Sequence, residues 1–222
     1  MIVIQAVVFD FDGTLFDSES HEYAVIQEIF REHGAELPLE VWGECVGRES
    51  GFFDPIAHLE REIGRRLDRE GLARLRSERF RERIRGAGAL PGAAEALQAT
   101  RAMSLRVGLA SSRSAAWVRG QLQRLGLLDS FDCIRTADDV ARVKPDPELY
   151  LSVLECLGVQ PQHAVAVEDS PNGALAARRA GMYCVVVPNP VTAGLAFGEH
   201  DVRLDSLHEL DLGALLARLV RT

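Results

Sequence analysis

Two carboxylates stand two residues apart in Asp10-Phe11-Asp12-Gly13-Thr14, at the end of the apolar run from Ile2 to Phe9. In extended chain, residues i and i+2 project to the same side, so both acids can face one reacting centre. One then attacks as a nucleophile while the other moves protons. Alternatively both hold a hard divalent cation, which prefers carboxylate, carbonyl and water oxygens. A plain Asp-Gly turn after a buried strand is the third reading.

Three later segments carry polar groups of a matching kind. Leu109-Ala110-Ser111-Ser112-Arg113 ends an apolar stretch in hydroxyls, so Ser111 Oγ and the amides after it can bind a phosphate oxygen. Ser112 or Ser114 acting only as a helix cap is the competing reading. In Val143-Lys144-Pro145-Asp146-Pro147 two prolines restrict the loop and aim Lys144, with Asp146 as cap and Pro147 in the first turn of a helix. Val165-Ala166-Val167-Glu168-Asp169 opens into adjacent acids before a helix begun by Ser170 and Pro171. Two unit charges at about 4 Å interact by ~4 kcal/mol at an effective dielectric near 20, so four clustered carboxylates without a cation would be self-defeating. With Mg²⁺ and Lys144 present, the same cluster suits a phosphate dianion.

The run from Ile2 to Phe9 has the continuous apolar character of a strand buried on both faces of a parallel sheet. Carboxylates at its carboxyl end fall in the crevice where open α/β sheets bind ligands. Leu105 to Ala110, Asp132 to Thr136, Ala164 to Val167 and Cys184 to Val187 read as further buried strands. Helical stretches such as Ala115 to Leu125 and Pro147 to Leu157 separate them, the alternation of a doubly wound parallel sheet. Between the first strand and the rest the periodicity is helical throughout. Tyr23, Ile26 and Phe30 share one face, and Gly34 closes that helix. Ile56, Leu59, Ile63 and Leu67 form a second stripe, followed by Leu72, Leu75 and Phe80. Gly86 to Gly92 reads as a return linker. The expectation is an α/β core of residues 1–16 and 86–222, interrupted by an all-helical domain over 17–85 that is rooted beside Asp10 and Asp12 as a lid.

The chain has 222 residues, 47% of them hydrophobic and 26% charged, enough for a sizeable core. A net charge of −8 counts against a duplex nucleic-acid surface, which needs a basic stripe. No apolar run approaches the ~20 residues needed to span a bilayer, and the amino terminus lacks a secretory pattern, so a cytoplasmic location is expected. Cys45, Cys133, Cys156 and Cys184 are widely spaced with no Cys-x-x-Cys pair, which points to buried free thiols. Nothing in the sequence fixes an oligomeric state.

The order Asp-x-Asp-x-Thr, strand-end Ser, Lys-Pro and Glu-Asp resembles the haloacid dehalogenase superfamily, in its phosphatase and β-phosphoglucomutase-like branch with a helical cap after the first strand. The resemblance spans Val3 to Val187 and the last helix. It implies Asp10 as nucleophile forming an aspartyl phosphate, Asp12 as general acid and then base, and Thr14 supporting the turn. It further implies that Ser111 and Lys144 hold the phosphoryl group. Mg²⁺ would bind the Asp10 side chain, the Asp12 carbonyl and Asp169, with Glu168 in a supporting or water-mediated role. The implied substrate is a small phosphorylated metabolite, a sugar or alcohol phosphate. Asp12 together with Asp169 counts against dehalogenation, which needs neither a second acid nor a metal.

Further substrate contacts implied are Arg48, in the loop Val46 to Gly51, and Ser112, Arg113 and Asn172 beside the phosphate. The mutase-like members carry a cap His where an ungapped count from Asp12 gives Glu22, whereas this chain has His21 one position earlier. That step rotates a side chain by about 100° on a helix. Phosphatase therefore ranks above mutase, and a non-catalytic ligand-binding protein on the same scaffold ranks last. Trp42, Phe52 and Phe53 read as packing within the cap.

Overall fold

The structure, a computed structural model, describes residues 3–43 and 53–219, so Cys45, Arg48 and Phe52 lie outside the described residues. Of the opening apolar run, Ala6–Phe9 forms β1, all four residues buried. Five helices come before the next strand among the described residues, and the first four are α1 (Ser18–Glu32), α2 (Leu39–Gly43), α3 (Pro55–Ile63) and α4 (Arg69–Ile84). Asp17, Asp54 and Asp68 start α1, α3 and α4 by accepting hydrogen bonds from Ser20 N, Ala57 N and Gly71 N at 2.9, 2.9 and 3.0 Å. These carboxylates satisfy amides that have no partner within the helix. Among the described residues of 17–85 there is no strand. Val25, Ile26, Ile29, Phe30, Leu37, Trp42, Ile56, Leu59 and Leu72 form an apolar cluster that Val191 joins from the later part of the chain, with Phe53 packed against it.

One helical stripe is corrected. Ile56 to Leu67 is not continuous, because α3 ends at Ile63 with Gly64 in the left-handed conformation (φ 67°) and Leu67 lies in the turn. The turn is closed by Glu60, which accepts the Leu67 amide at 2.9 Å.

The remaining elements alternate as far as β5: α5 (Ala93–Ala102), β2 (Arg106–Ala110), α6 (Ala115–Arg124), β3 (Cys133–Arg135), α7 (Glu148–Leu157), β4 (Ala164–Glu168), α8 (Pro171–Arg179) and β5 (Tyr183–Val186), after which β6 (Val202–Arg203) and α9 (Leu212–Leu219) follow. The six strands form one parallel sheet in the order β3-β2-β1-β4-β5-β6. The two-residue β6 is too short to announce itself by periodicity. Alternate residues of each strand feed opposite faces. Val7, Phe9, Val107, Leu109, Val165 and Val167 meet α5, α6 and α9 on one side. Ala6, Val8, Ala110, Ala164, Ala166 and Cys184 meet α7 and α8 on the other. Each fully buried Val, Leu or Phe in these layers is worth about 1.5–3 kcal/mol, which holds the strands in one register.

That register levels the strand ends, because Phe9 pairs with Leu109 of β2 and with Val167 of β4. The residues that follow all emerge at the same height. β1 lies at the point where the strand order reverses direction, where open α/β sheets form their crevice.

The free-thiol expectation is corrected for two cysteines. Cys133 of β3 and Cys156 of α7 are disulfide-bonded, with Cα atoms 6.3 Å apart. The helix packs directly across that edge of the sheet, bringing together residues 23 apart in sequence. Cys184 is free and buried, and burial pushes its thiol up. No helix among the described residues is long and apolar enough to cross a membrane.

Candidate active site

The first carboxylate is placed by the sheet itself. Asp10 N donates to Val167 O at 2.9 Å, extending the β1–β4 ladder one residue past the strand and setting Asp10 beside Glu168. The chain then turns at Gly13, whose φ is 90°. A Cβ built there would stand 2.3 Å from Asp169 Oδ2, so the absence of a side chain lets the loop close onto that carboxylate. Thr14 Oγ1 donates to Asp169 Oδ1 at 3.4 Å, and Asn189 Nδ2 donates to Asp169 Oδ2 at 2.7 Å and to Glu19 Oε2 at 3.3 Å.

Lys144 is the buried cation at the centre. Its ammonium donates to Asp10 Oδ1, to Glu168 Oε1 at 2.6 Å and to Ala110 O at 2.8 Å, using all three protons. Burial would lower its proton affinity, but Asp10 and Glu168 outweigh that and raise it, so the charge stays. Glu168 is saturated. Oε1 also accepts the Tyr150 hydroxyl at 2.7 Å, while Oε2 accepts Asp169 N at 3.2 Å, Ser170 N at 3.4 Å and Ser170 Oγ at 3.2 Å. Gly173, in the first turn of α8, makes room for this carboxylate, since a Cβ there would overlap Glu168 Oε1 at 1.9 Å.

Asp10, Glu168 and Asp169 each present a carboxylate oxygen within 4.8 Å of the others. Burial, with the neighbouring acids, pushes the Asp10 carboxyl well above its ordinary range despite the pull of Lys144. Burial does the same to Asp169 and to Glu19. Four buried acids thus face one buried ammonium. A set of hard oxygen donors short of positive charge fits a divalent cation, and Glu168, with both oxygens engaged by protein donors, is placed to hold Lys144.

Asp12 sits across from this cluster with its two oxygens in different surroundings. Oδ1 accepts Ser18 Oγ at 2.5 Å and the Trp117 indole N–H at 2.9 Å, with Arg113 Nε 3.9 Å away. Oδ2 meets Ser111 Oγ at 3.3 Å. Ser111 Oγ in turn accepts Arg113 N at 3.1 Å, so the loop after β2 folds around it. The Arg113 guanidinium donates to Glu22 Oε2 at 2.7 Å, and Glu22 also pairs with Arg76 of α4. Burial works to raise Glu22, but the two guanidinium groups prevail and hold its carboxyl below the ordinary range.

The structure therefore brings together Asp10, Asp12, Thr14, Ser111, Lys144, Glu168 and Asp169, with Arg113 beside Asp12. The Ser112 hydroxyl is buried with no hydrogen-bond partner among the described residues. Asn172 lies in the first turn of α8, and Arg48 falls outside the described residues. Of the two candidate caps, Ser114 caps α6. One cap differs from expectation: α7 starts at Glu148 with Pro147 at the cap position, while Asp146 accepts the Glu148 amide at 3.1 Å.

Sequence reasoning missed Glu19, Trp117, Tyr150 and Asn189. Asn189 was within reach, because it follows β5 as the other polar groups follow their strands. Tyr150 and Trp117 occupy helix positions that read as packing.

The haloacid dehalogenase-like hydrolase family model matches residues 4–181. The chain is 51% identical over 217 residues to the Bacillus subtilis (strain 168) protein named "Putative phosphatase YhcW", covering 98% of each. It is 34% identical to the validoxylamine A 7'-phosphate phosphatase of Streptomyces hygroscopicus subsp. limoneus, over 93% of this chain and 95% of that one. The crystal structure of CbbY from Rhodobacter sphaeroides in complex with phosphate superposes with a TM-score of 0.72 at 31% identity, covering 95% and 97% of the two chains. A match that runs from the first strand through α8 means that the chain belongs to the haloacid dehalogenase-like hydrolase family.

Proposed function

We propose that this chain is a Mg²⁺-dependent phosphatase that hydrolyses a small sugar or alcohol phosphate through an aspartyl phosphate on Asp10. The observation that carries this reading is the buried ammonium of Lys144 bound to Asp10 and Glu168, with Asp12 and Ser111 facing it across the strand ends. The Asp10 side chain, the Asp12 carbonyl and Asp169 would hold Mg²⁺, which when bound offsets the charge of the phosphoryl oxygens. Ser111 holds those oxygens together with Lys144, whose proton to Asp10 would be shared with the phosphoryl group, and Glu168 with Tyr150 holds Lys144. Asp10 attacks phosphorus. Asp12 gives a proton to the departing alkoxide, then takes one from the water that cleaves the acyl phosphate. Because an alkoxide is strongly basic, this proton is typically worth ~10² to 10⁴ in rate.

Residues 17–85 act as a cap domain over a core of 1–16 and 86–222, a reading supported by Glu22, itself paired with Arg76, reaching Arg113 at the site. The names of the Bacillus and Streptomyces relatives favour a phosphatase. Glu22, committed to two arginines beside Asp12, stands where the mutase branch has its His, so hydrolysis is preferred to mutase chemistry. A panel of sugar and alcohol phosphates, assayed with Mg²⁺ and with EDTA, tests the proposal. Release of inorganic phosphate that depends on the metal and is abolished by Asp10→Asn is expected. Turnover indifferent to chelator would end the reading, and interconversion of hexose phosphates with a bisphosphate activator would favour the mutase.

A further inference from the structure

The Trp117 indole has no part in the chemistry above, yet its Nε1–H donates to Asp12 Oδ1 at 2.9 Å. An indole N–H donates only, so it selects an oxygen that offers a lone pair. Ser18 Oγ lies 2.5 Å from the same oxygen, a hydroxyl that can turn its proton to it. Oδ2 has no such fixed donor, and its neighbour is the Ser111 hydroxyl, whose proton rotates to suit. When Asp12 is a neutral acid, Oδ1 is accordingly the carbonyl oxygen and Oδ2 carries the proton, on the side where Ser111 stands.

The indole is itself held from two sides. Phe80 of α4 packs on its ring with centroids 5.6 Å apart, and Phe16 lies 6.4 Å away on the other part of the chain. Phe80 belongs to the helical segment, so the position of that segment bears on the ring that orients Asp12.

We propose that Trp117 is a positioning residue for proton delivery, locking the Asp12 carboxyl so that Oδ2 and not Oδ1 faces the leaving group. The inference rests on the phosphatase reading. In the first step the bond between Asp10 oxygen and phosphorus forms as the bond from phosphorus to the ester oxygen breaks. The electron pair of that breaking bond stays on the ester oxygen, which takes the Oδ2 proton. In the second step water attacks phosphorus, its proton returns to Oδ2, and the bond from Asp10 to phosphorus breaks. Rotation of the carboxyl by half a turn would present an oxygen without a proton, and the indole N–H opposes that rotation.

The test exploits the leaving group. A strongly basic alkoxide needs the proton, whereas para-nitrophenolate leaves without it. Trp117 is replaced by 3-benzothienylalanine, which exchanges the N–H for sulfur at nearly the same size, and separately by Phe. The value of kcat/KM is measured with Mg²⁺ on para-nitrophenyl phosphate and on the alkyl phosphate that the wild-type chain cleaves fastest. This constant covers only steps through transfer to Asp10. A loss of about 10- to 100-fold on the alkyl ester, with less than ~3-fold on the aryl ester, is expected for both variants. Equal losses on the two esters, or no loss on the alkyl ester with the isosteric variant, would overturn the inference while leaving the phosphatase reading intact. A wild-type chain that cleaves neither ester would overturn both.

Discussion

Replacing Lys144 by Met is the sharpest perturbation of the site, because it removes charge while keeping length and most of the volume. Lys144 is the only Lys or Arg among the described residues that is fully buried, and its side chain is 1% exposed. The substitution leaves Asp10, Glu168 and the Ala110 carbonyl each short of a donor. Breaking a buried ion pair by deleting one partner costs about 3–5 kcal/mol, since the remaining charge stays out of water. With a urea m value of ~3 kcal/mol/M, at the upper end for single domains, the unfolding midpoint should fall by about 1 to 1.7 M. The measurement is urea denaturation in EDTA, so that no cation substitutes for the ammonium. Much of the cost comes from the stranded Glu168 carboxylate, so Lys144→Met combined with Glu168→Gln should be more stable than the two single changes predict, by about 0.5–3 kcal/mol. A midpoint lowered by less than ~0.3 M, or additive effects in the double variant, would refute the claim that Lys144 neutralises this cluster.

Two further predictions concern the surroundings. Mg²⁺ at about 100 times its dissociation constant should stabilise the protein by ~2.7 kcal/mol, seen as a rise in thermal midpoint that Asp169→Asn abolishes; an equal rise in that variant would place the cation elsewhere. Glu22 has its carboxyl held below the ordinary range by Arg113 and Arg76 against the opposing effect of burial. A depressed carboxyl contributes stability that is present above its unfolded pKa, near 4.3, and is lost as pH falls through the folded value. The wild type should therefore exceed Glu22→Gln in urea midpoint at neutral pH by more than it does at pH ~3. A gap that is constant with pH would show that the Glu22 charge contributes nothing.

The parts of the fold visible in the sequence are those in which burial leaves a local trace. Strands buried on both faces must be apolar along most of their length, so β1, β2, β4 and β5 appear as runs dominated by Val and Ala, with Phe9 and Leu109 among them. Their boundaries shift by a residue or more, because Ile4, for example, is buried without belonging to the strand. β6 exists only because β5 offers it an edge, and two residues leave no periodic signal. The break at Gly64 was overlooked because Ile63 and Leu67 keep helical spacing across it. Its actual marks were the glycine itself and Asp68, which caps the next helix. The Cys133–Cys156 bond depends on how α7 crosses the sheet edge, a tertiary fact that spacing alone does not contain.

The residues of the candidate site divide along the same line. Asp10, Ser111 and Asp169 were legible because each follows a strand whose end is fixed by register, and a polar group there has little else to do. Lys144 was legible through its two prolines, although its partner Asp10 is 134 residues away. Trp117 and Tyr150 give no such sign, for an aromatic residue on an amphipathic helix satisfies the apolar pattern whether or not its polar atom is used. Here both polar atoms are used, and each touches a carboxylate rather than the substrate's expected position: Tyr150 fixes Glu168, and Trp117 fixes Asp12. An acid brought to a strand end still has free rotation about its own bonds. What removes that freedom is donated from the packed helices, so the geometry that the proposed proton transfer needs is written in packed helix positions rather than in the motif.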